Sequence, residues 1–179
     1  ELFSTGPMRA SYVLQGDNGY SRKSDQGQAS YYYSQPFFQA DGRVTIDGKT
    51  YQVTGTAWLD REWSSQPLTA SQTGWDWFSL HLDSGEQLML FRVRQKDGPS
   101  YLTGTWIDQQ GQTQTLHNQD IQLTPLGTTT IDGRSIPTQW SLKIPGKHLD
   151  ITTQALNPKA WMNLNIPYWE GPVKFQGGV

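Results

Sequence analysis

The sequence contains no cysteine and only three histidines among its 179 residues. Without cysteine there is no disulfide, no thiol nucleophile, no cysteine-ligated zinc and no iron–sulfur cluster. The absence of cysteine does not indicate a cellular compartment, because a disulfide-free protein can fold in any of them. The isolated His81, His117 and His148 are more typical of hydrogen-bonded surface residues than of metal ligands. We therefore predict no metal and no cofactor.

Long apolar runs and an excess of positive charge are also missing. No apolar run approaches the roughly 20 residues of a membrane-spanning helix, so the chain is not expected to span a membrane. The net charge is −2 with Lys and Arg spread along the chain, which excludes the basic stripe that nucleic-acid binding requires. The first residues lack the charged and apolar segments of a signal peptide. The composition favours a soluble protein or the mature part of an exported one.

Aromatic residues, glycine and proline are abundant: eight Trp, eight Tyr, 18 Gly and 10 Pro. This mixture favours strands and tight turns over helices. Stretches in which apolar and polar residues alternate are separated by four turn signals, Asp47-Gly48, Ser84-Gly85, Gln110-Gly111 and Asp132-Gly133. No window carries a helical period. The pattern predicts an all-β protein built from antiparallel hairpins.

The Ser84-Gly85 signal predicts a register for its hairpin if it forms a two-residue turn. Trp77 then lies opposite Arg92 on the neighbouring strand. In the same register Trp75 lies opposite Arg94. Two interpretations of this face stay open: a wall that lines a ligand pocket, or an outer face where arginine stems cover the indole rings.

One strand carries two carboxylates beside an indole. Alternation along the strand puts Trp58, Asp60 and Glu62 on one face. If that face points into an apolar interior, one carboxyl can serve as a general acid. The alternative is a solvated pair, or an Asp60 that Arg22 or Arg61 holds in a structural ion pair.

Two further features permit two interpretations each. The run Tyr31-Tyr32-Tyr33 predicts an edge strand with tyrosine rings on both faces, and a ligand wall is the second interpretation. Glu170 is either a buried polar anchor or the end of a strand. Neither a phosphate-binding glycine loop nor the nucleophile and zinc motifs of common hydrolases is present.

The chain resembles the AttH/CrtC-like family in five segments. They are residues 15–23 (QGDNGYSRK), 29–36 (ASYYYSQP), 58–64 (WLDREWS), 74–78 (GWDWF) and 168–171 (YWEG). This resemblance covers nearly the whole chain and implies two consecutive lipocalin-like barrels. Residues 1–65 would be the closing part of the first barrel and residues 74–179 the second, with the polar stretch 66–73 as linker. The opening strands of the first barrel would lie in an upstream half of the same protein, which is an expected partner.

The resemblance also implies a chemistry. The family includes secreted bacterial proteins often labelled predicted hydrolases, carotenoid hydratases and fungal cyclising relatives. In the hydratase branch an aromatic-x-Asp motif supplies the proposed proton donor to an isoprenoid double bond, and Trp58-Leu59-Asp60 is similar to it, with Trp in place of Tyr. The continuation Arg61-Glu62-Trp63-Ser64 follows the AttH-like pattern.

The leading hypothesis is a secreted or periplasmic lipocalin-like protein that binds a small lipid-like or isoprenoid-like molecule and supports acid-catalysed hydration or cyclisation. Its candidate catalytic residues are Asp60 and Glu62, and its candidate ligand-binding residues are Tyr31, Tyr33, Trp58, Trp75, Trp77 and Trp169. One alternative is a carbohydrate-active β-sandwich in which tryptophans stack on sugars and Asp60 acts with Glu62 or Glu170. Another is a non-enzymatic exported accessory protein that docks onto a transporter or a surface partner.

Overall fold

The chain is organised as two compact units of antiparallel β-sheet, Glu1–Leu116 and His117–Val179. The computed structural model describes residues 2–7, 12–66 and 68–178. These residues form no α-helix, and their only helical elements are two short 3-10 turns, Asn118–Asp120 and Pro145–Lys147. The prediction of an all-β, antiparallel protein is confirmed.

The first unit holds two sheets. Its first sheet consists of β1 (Leu2–Pro7), β2 (Val13–Leu14), β3 (Tyr20–Arg22), β4 (Ala29–Ile46) and β5 (Lys49–Trp63). The long strand β4 is central, because β5 pairs along one edge while β1, β2 and β3 pair with successive stretches of the other. The edge strand predicted for Tyr31-Tyr32-Tyr33 is therefore wrong, since these residues have neighbours on both sides. Its second sheet is a meander of β6 (Gln72–His81), β7 (Gln87–Gln95), β8 (Tyr101–Ile107) and β9 (Thr113–Leu116).

The two sheets of the first unit pack face to face. Tyr32 of β4 is buried against a cluster on β7 formed by Met89, Phe91 and Val93. A neighbouring cluster joins Val13, Phe37 and Ile107. Trp58 of β5 contacts both clusters. Apolar side chains from alternate positions of facing strands therefore form the core here, as in other layered β-structures.

The second unit contains a sheet of four strands and a short two-stranded ribbon. The sheet has the order β10 (Gln122–Ile131), β11 (Arg134–Ile144), β12 (Leu149–Ala155) and β15 (Val173–Gly178), and the ribbon pairs β13 (Trp161–Met162) with β14 (Tyr168–Trp169). Burial along β12 alternates strictly, with Leu149, Ile151 and Thr153 buried and the residues between them exposed. One face of this strand therefore contributes to the core.

No sheet formed by the described residues closes into a barrel, so the predicted lipocalin-like closure is not confirmed. Among the described residues, strand β5 pairs with β4 and not with β6, which is the first strand of a separate sheet. Of the linker expected at residues 66–73, the last two residues belong to β6, which begins at Gln72, and Pro67 lies outside the described residues. The domain boundary there stays a prediction. Within the described part of the chain no helix has the length and apolarity needed to cross a membrane.

Two hairpin turns have the geometry that their sequences predict. At Asp47-Gly48 and Asp132-Gly133 all four residues have positive φ, between 49° and 77°, which is the type I′ turn favoured between twisted strands. Ile46 consequently pairs directly with Lys49 across the first turn. The long β4–β5 pair thus has its register fixed by local sequence.

The Ser84-Gly85 hairpin differs from its predicted register by one residue. The Leu82 amide donates to the Glu86 carbonyl at 3.0 Å, so residues 83–85 form a three-residue loop that ends on Gly85 with φ +86°. A two-residue and a three-residue loop both place a glycine at positive φ, so the dipeptide does not distinguish them. The Gln110-Gly111 turn has the same three-residue form, with the Asp108 amide bonded to the Gln112 carbonyl.

This shift changes which side chains face each other across β6 and β7, because one residue of slip exchanges the two faces of a strand. Trp77 lies opposite Phe91, not Arg92, and Trp75 lies opposite Val93, not Arg94. The predicted indole–guanidinium pairs are therefore wrong. Both tryptophans instead share the face that carries the buried β7 cluster.

The two arginines were expected to contact indole rings, but in the structure they contact the carboxylate of Asp76. Arg92 lies directly opposite Asp76 and forms an ion pair with it at 2.7 Å, and Arg94 bonds the other carboxylate oxygen. The Asp76 side chain is almost fully buried. Two guanidinium groups thus satisfy one buried carboxylate on the face away from the tryptophans.

Gly104 in β8 offers a test of this packing. A Cβ atom added at Gly104 would lie 2.7 Å from the Met89 carbonyl oxygen and 2.9 Å from the Leu90 Cβ. Because the β7 backbone cannot move away without disturbing the core, Gly104→Ala should lower the free energy of unfolding in urea by about 1–3 kcal/mol. The matched control is Gly55→Ala, where the added Cβ meets nothing within 4 Å. Equal stability of the two variants would contradict the close packing of β7 on β8.

Candidate functional site

Trp58, Asp60 and Glu62, which alternation along the strand predicted to share a face, lie on the inner face of β5. Asp60 lies opposite Ser34, and Glu62 lies opposite Tyr32, in the β4–β5 register. Ser34 and Tyr32 are both buried. Trp58 packs into the core clusters from the same face. Trp58, Asp60 and Glu62 are therefore brought together beside the second sheet.

One oxygen of Asp60 accepts two hydrogen bonds from β4. The Ser34 hydroxyl donates to Asp60 Oδ1 at 2.5 Å, and the Tyr32 hydroxyl donates to the same atom at 2.9 Å. Among the described residues these are the two groups that hydrogen-bond to this carboxyl, and neither Arg22 nor Arg61 forms an ion pair with it. The two lone pairs of Oδ1 are thereby used. The other oxygen, Oδ2, has no partner among the described residues, and Asp60 as a whole is an exposed residue.

Two chains of hydrogen bonds extend from this carboxyl into the core. In the first, Thr105 Oγ1 donates to Gln15 Oε1 at 2.5 Å and Gln15 Nε2 donates to Ser34 Oγ at 2.8 Å. In the second, Trp77 Nε1 donates to the Tyr32 hydroxyl at 3.1 Å. Every donor points towards Asp60, so each bond polarises the next in the same direction. Both sheets of the first unit thus position one carboxyl group.

The Tyr32 phenol is a permanent donor in this arrangement. Burial raises its pKa above the ordinary value of 10.0, and the nearby charge of Asp60 raises it further. The Trp77 indole opposes this rise, because an N–H donated to the phenol oxygen favours the phenolate. The net direction is upward, so Tyr32 stays protonated throughout the physiological pH range.

Glu62 is held in a similar way, but by a charged donor. The Ser30 hydroxyl donates to Glu62 Oε1 at 2.5 Å, and Lys23 Nζ lies 2.6 Å from the same oxygen. Lys23 follows β3 in the chain. Because side chains alternate along an extended segment, the Lys23 side chain lies on the inner face with Ser21, and the Arg22 side chain points the other way. Glu62 Oε2 has no partner among the described residues.

The Lys23 ammonium is enclosed by aromatic rings. Its Nζ lies 3.8 Å from the ring centre of Phe91 and 5.2 Å from that of Tyr32, within range of cation–π attraction. Burial lowers the pKa of Lys23, while the charge of Glu62 and the hydrogen bond to it raise that pKa in part. The carboxylate therefore compensates some of the cost of placing an ammonium in this position.

Trp58, Trp75 and Trp77 also lie on the inner faces of the two sheets. Trp75 and Trp77 are 38% and 39% exposed, so part of each ring is accessible from outside the core. Trp58 Nε1 is buried and has no hydrogen-bond partner among the described residues. His81 lies 5.6 Å from Trp58, ring centre to ring centre, and burial lowers the pKa of this imidazole. A buried N–H without an acceptor is an open position for the oxygen of a ligand or a water.

The other predicted ligand-binding residues lie elsewhere. Tyr31 and Tyr33 alternate with Tyr32 and therefore lie on the opposite, outer face of β4, where Tyr31 stacks on Trp63 at 5.9 Å and Tyr33 meets Trp63 edge-on at 6.3 Å. Trp169 belongs to the second unit, where its Nε1 donates to the Pro158 carbonyl at 3.2 Å. A ligand-binding role for these three residues stays a prediction.

Several side chains of this candidate site were missed by inspection of the sequence. Gln15, Lys23 and Ser34 are distant from Asp60 and Glu62 along the chain. They lie in segments 15–23 and 29–36, which carry the family resemblance, but nothing in those segments indicates that they bond to each other or to the carboxylates. One signal was available for Tyr32, because the middle residue of the Tyr31-Tyr32-Tyr33 run must face away from its neighbours in a strand. Chemically, the site combines two carboxylates, each with one oxygen occupied and one free, with indole rings and a buried ammonium.

Replacing Tyr32 tests the hydrogen bonds to Asp60. Tyr32→Phe removes a donor from Asp60 and leaves Trp77 Nε1 without an acceptor, so the free energy of unfolding should fall by about 1–3 kcal/mol. Tyr33→Phe is the matched control on the outer face and should change stability by less than about 0.5 kcal/mol. Chemical denaturation at pH 7 measures both variants. If the two lose the same stability, the Tyr32 hydrogen bonds contribute nothing specific.

Replacing Glu62 tests the environment of Lys23. Glu62→Gln removes the charge that raises the Lys23 pKa and leaves burial in place, so this pKa should fall further below 10.5. NMR titration of the lysine side-chain resonances measures the change, with Lys23→Arg used to assign the signal. Glu86→Gln, at a glutamate bonded to Ser84 and Trp106, is the control and should leave the Lys23 titration unchanged. A rise of the Lys23 pKa in Glu62→Gln would show that the two groups are not paired.

The fold and sequence match known proteins. The AttH-like family matches residues 7–179. The crystal structure of an AttH protein from Nitrosomonas europaea is 34% identical, superposes with a TM-score of 0.87, and is matched over 98% of this chain and 55% of its own. Kievitone hydratase from Nectria haematococca is 19% identical with a TM-score of 0.73, matched over 92% of this chain and 52% of its own, and this likeness shows the fold alone.

The chain thus spans about half the length of these two proteins. No curated protein matches its sequence significantly. The family match over residues 7–179 and the 34% identity to a solved AttH structure agree with each other. This chain belongs to the AttH-like family.

Proposed function

We propose that the first unit binds a small apolar molecule, isoprenoid-like or lipid-like, against Trp58 and Trp77, and that Asp60 protonates a carbon–carbon double bond of it. The reaction would be hydration or cyclisation. The observation that carries this proposal is the asymmetry of Asp60, whose Oδ1 accepts from Ser34 and Tyr32 while Oδ2 has no partner among the described residues. The expected export of the protein is part of the same proposal.

The geometry of the carboxyl suits a proton donor. An un-ionised carboxylic acid carries its proton on one oxygen and uses the other as an acceptor. Tyr32 and Ser34 fill the acceptor positions of Oδ1, which directs the proton of the acid to Oδ2. The free oxygen is therefore the atom that would meet the substrate, and the buried β4 side chains hold it in one orientation.

The surroundings suit an apolar substrate with a polar end. Indole rings provide large apolar contact surfaces, and Trp75 and Trp77 are partly accessible. The unpaired N–H of Trp58 would donate to an oxygen of the ligand, such as a hydroxyl or carbonyl. Kievitone hydratase, by its name, acts as a hydratase, and its shared fold is compatible with the proposal.

Binding is tested first, by titrating the chain with oleic acid, retinol, farnesol and lycopene while tryptophan fluorescence is recorded. A ligand at Trp58 and Trp77 should quench or shift the emission in a saturable manner, and Trp77→Phe should weaken the change. Unchanged fluorescence across all four compounds would remove the support for an apolar ligand.

Catalysis is tested with Asp60→Asn. The substituted side chain keeps an acceptor oxygen for Tyr32 and Ser34 but cannot deliver a carboxyl proton, so turnover of a bound alkene should fall by about 100-fold or more while the melting temperature holds. Asp41→Asn, an exposed position on β4, is the control and should keep full turnover. Loss of stability without a specific loss of turnover would make Asp60 a structural residue.

A further inference from the structure

We propose that the two carboxylates divide the work of hydration: Asp60 gives the proton to the alkene, and Glu62, held by Lys23, takes the proton from the water that adds. This inference rests on the proposed function and assigns the second half of the same reaction. It also makes Lys23 a positioning residue that acts through Glu62.

The first support is the matched geometry of the two carboxyls. Each has one oxygen that receives two bonds from residues of neighbouring strands or next to them, and one oxygen without a partner among the described residues. A serine of β4 supplies one bond in each case, Ser34 to Asp60 and Ser30 to Glu62. Because the two residues are separated by one position on β5, their side chains lie on the same face, with their backbone positions about 7 Å apart along the strand. Both carboxyls therefore face the same region beside β5.

The second support is the difference between their other donors. Asp60 receives its second bond from the neutral hydroxyl of Tyr32. Glu62 receives its second bond from the Lys23 ammonium at 2.6 Å. The ammonium has N–H donors and no acceptor, so Glu62 Oε1 is occupied as an acceptor and Oε2 is the oxygen that would take a proton from water. The division of roles rests on this difference between the donors of the two carboxyls.

The proposed hydration uses the alkene, one water molecule and the two carboxyl groups. The O–H bond at Asp60 Oδ2 breaks as a C–H bond forms at one alkene carbon, which leaves a carbocation at the other carbon. A water oxygen then bonds to that carbon and loses a proton to Glu62 Oε2. The product is an alcohol, and exchange with solvent returns a proton to Asp60 and removes one from Glu62. The nearby tryptophan rings and the Glu62 carboxylate stabilise the cation in the interval.

Lys23 is suited to fix Glu62 because it cannot easily move. Its ammonium is buried between the Phe91 ring at 3.8 Å and the Glu62 carboxylate, and Ser21 accepts a further hydrogen bond from it at 3.2 Å. With Lys23 removed, the Ser30 hydroxyl is the one donor that the described part of the chain still offers to Glu62. The carboxylate then loses both its compensating charge and its fixed orientation.

The test follows two isotopes through one reaction. The whole 179-residue chain is incubated with farnesol, retinol or lycopene, either in H₂¹⁸O or in D₂O, and products and recovered alkene are analysed by mass spectrometry. Incorporation of ¹⁸O reports the addition of water, which needs Glu62. Incorporation of deuterium into recovered alkene reports reversible protonation, which needs Asp60 alone.

Glu62→Gln and Lys23→Met should each lower ¹⁸O incorporation by about 100-fold or more while deuterium still enters the recovered alkene. Lys23→Arg should restore part of the ¹⁸O incorporation because it keeps the positive charge. Asp60→Asn should abolish both signals, and Lys49→Met, at a lysine over the ring of Tyr51, is the control that should alter neither.

The outcomes separate this inference from the proposed function. If the wild-type chain yields neither signal with any of the three compounds, the proposed hydration fails and the inference fails with it. If the wild type adds water and Glu62→Gln or Lys23→Met does so at the same rate, the proposed division of roles is wrong. The role of Asp60 as proton donor is then unaffected. If Glu62→Gln loses deuterium exchange together with ¹⁸O incorporation, Glu62 takes part in the protonation step, and the assignment is overturned.

Discussion

The pairing of β4 with β5 is the constraint on which the site depends. Its register sets Ser34 opposite Asp60 and Tyr32 opposite Glu62, so each carboxylate on β5 meets hydroxyl donors from β4. The type I′ turn at Asp47-Gly48 fixes this register from one end. A slip by one residue would turn both carboxylates to the outer face and leave the buried hydroxyls without acceptors.

Hydrogen bonds from the second sheet hold the side chains of this strand pair in place. Gln15 and Thr105 are buried and connect Ser34 to β8, while Trp77 connects Tyr32 to β6. A buried polar chain is costly unless every member is bonded, so a partly formed arrangement is disfavoured and one arrangement is specified. The orientation of Asp60 is therefore a consequence of how the two sheets pack, and it depends on the same hydrogen bonds that satisfy the buried polar groups.

Alternation with a period of two predicted correctly that Trp58, Asp60 and Glu62 share a face, because that periodicity is a property of a single strand. The register of the Ser84-Gly85 hairpin could not be predicted in the same way. A glycine at positive φ suits a two-residue turn and a three-residue loop alike, and only the Leu82–Glu86 bond decides between them. The one-residue difference placed Trp77 beside the core and gave Asp76 its arginine partners.

The sequence by itself determined the all-β class, the antiparallel hairpins, the face of each residue along β5 and the family, since these follow from composition, alternation and local motifs. Only the tertiary structure decided that Lys23 pairs with Glu62 and that Tyr32 bonds Asp60. These contacts join residues far apart in the chain, and the packing of separate strands, not any local pattern, brings them within bonding distance. The candidate site on the inner face therefore depends on the packing of the two sheets.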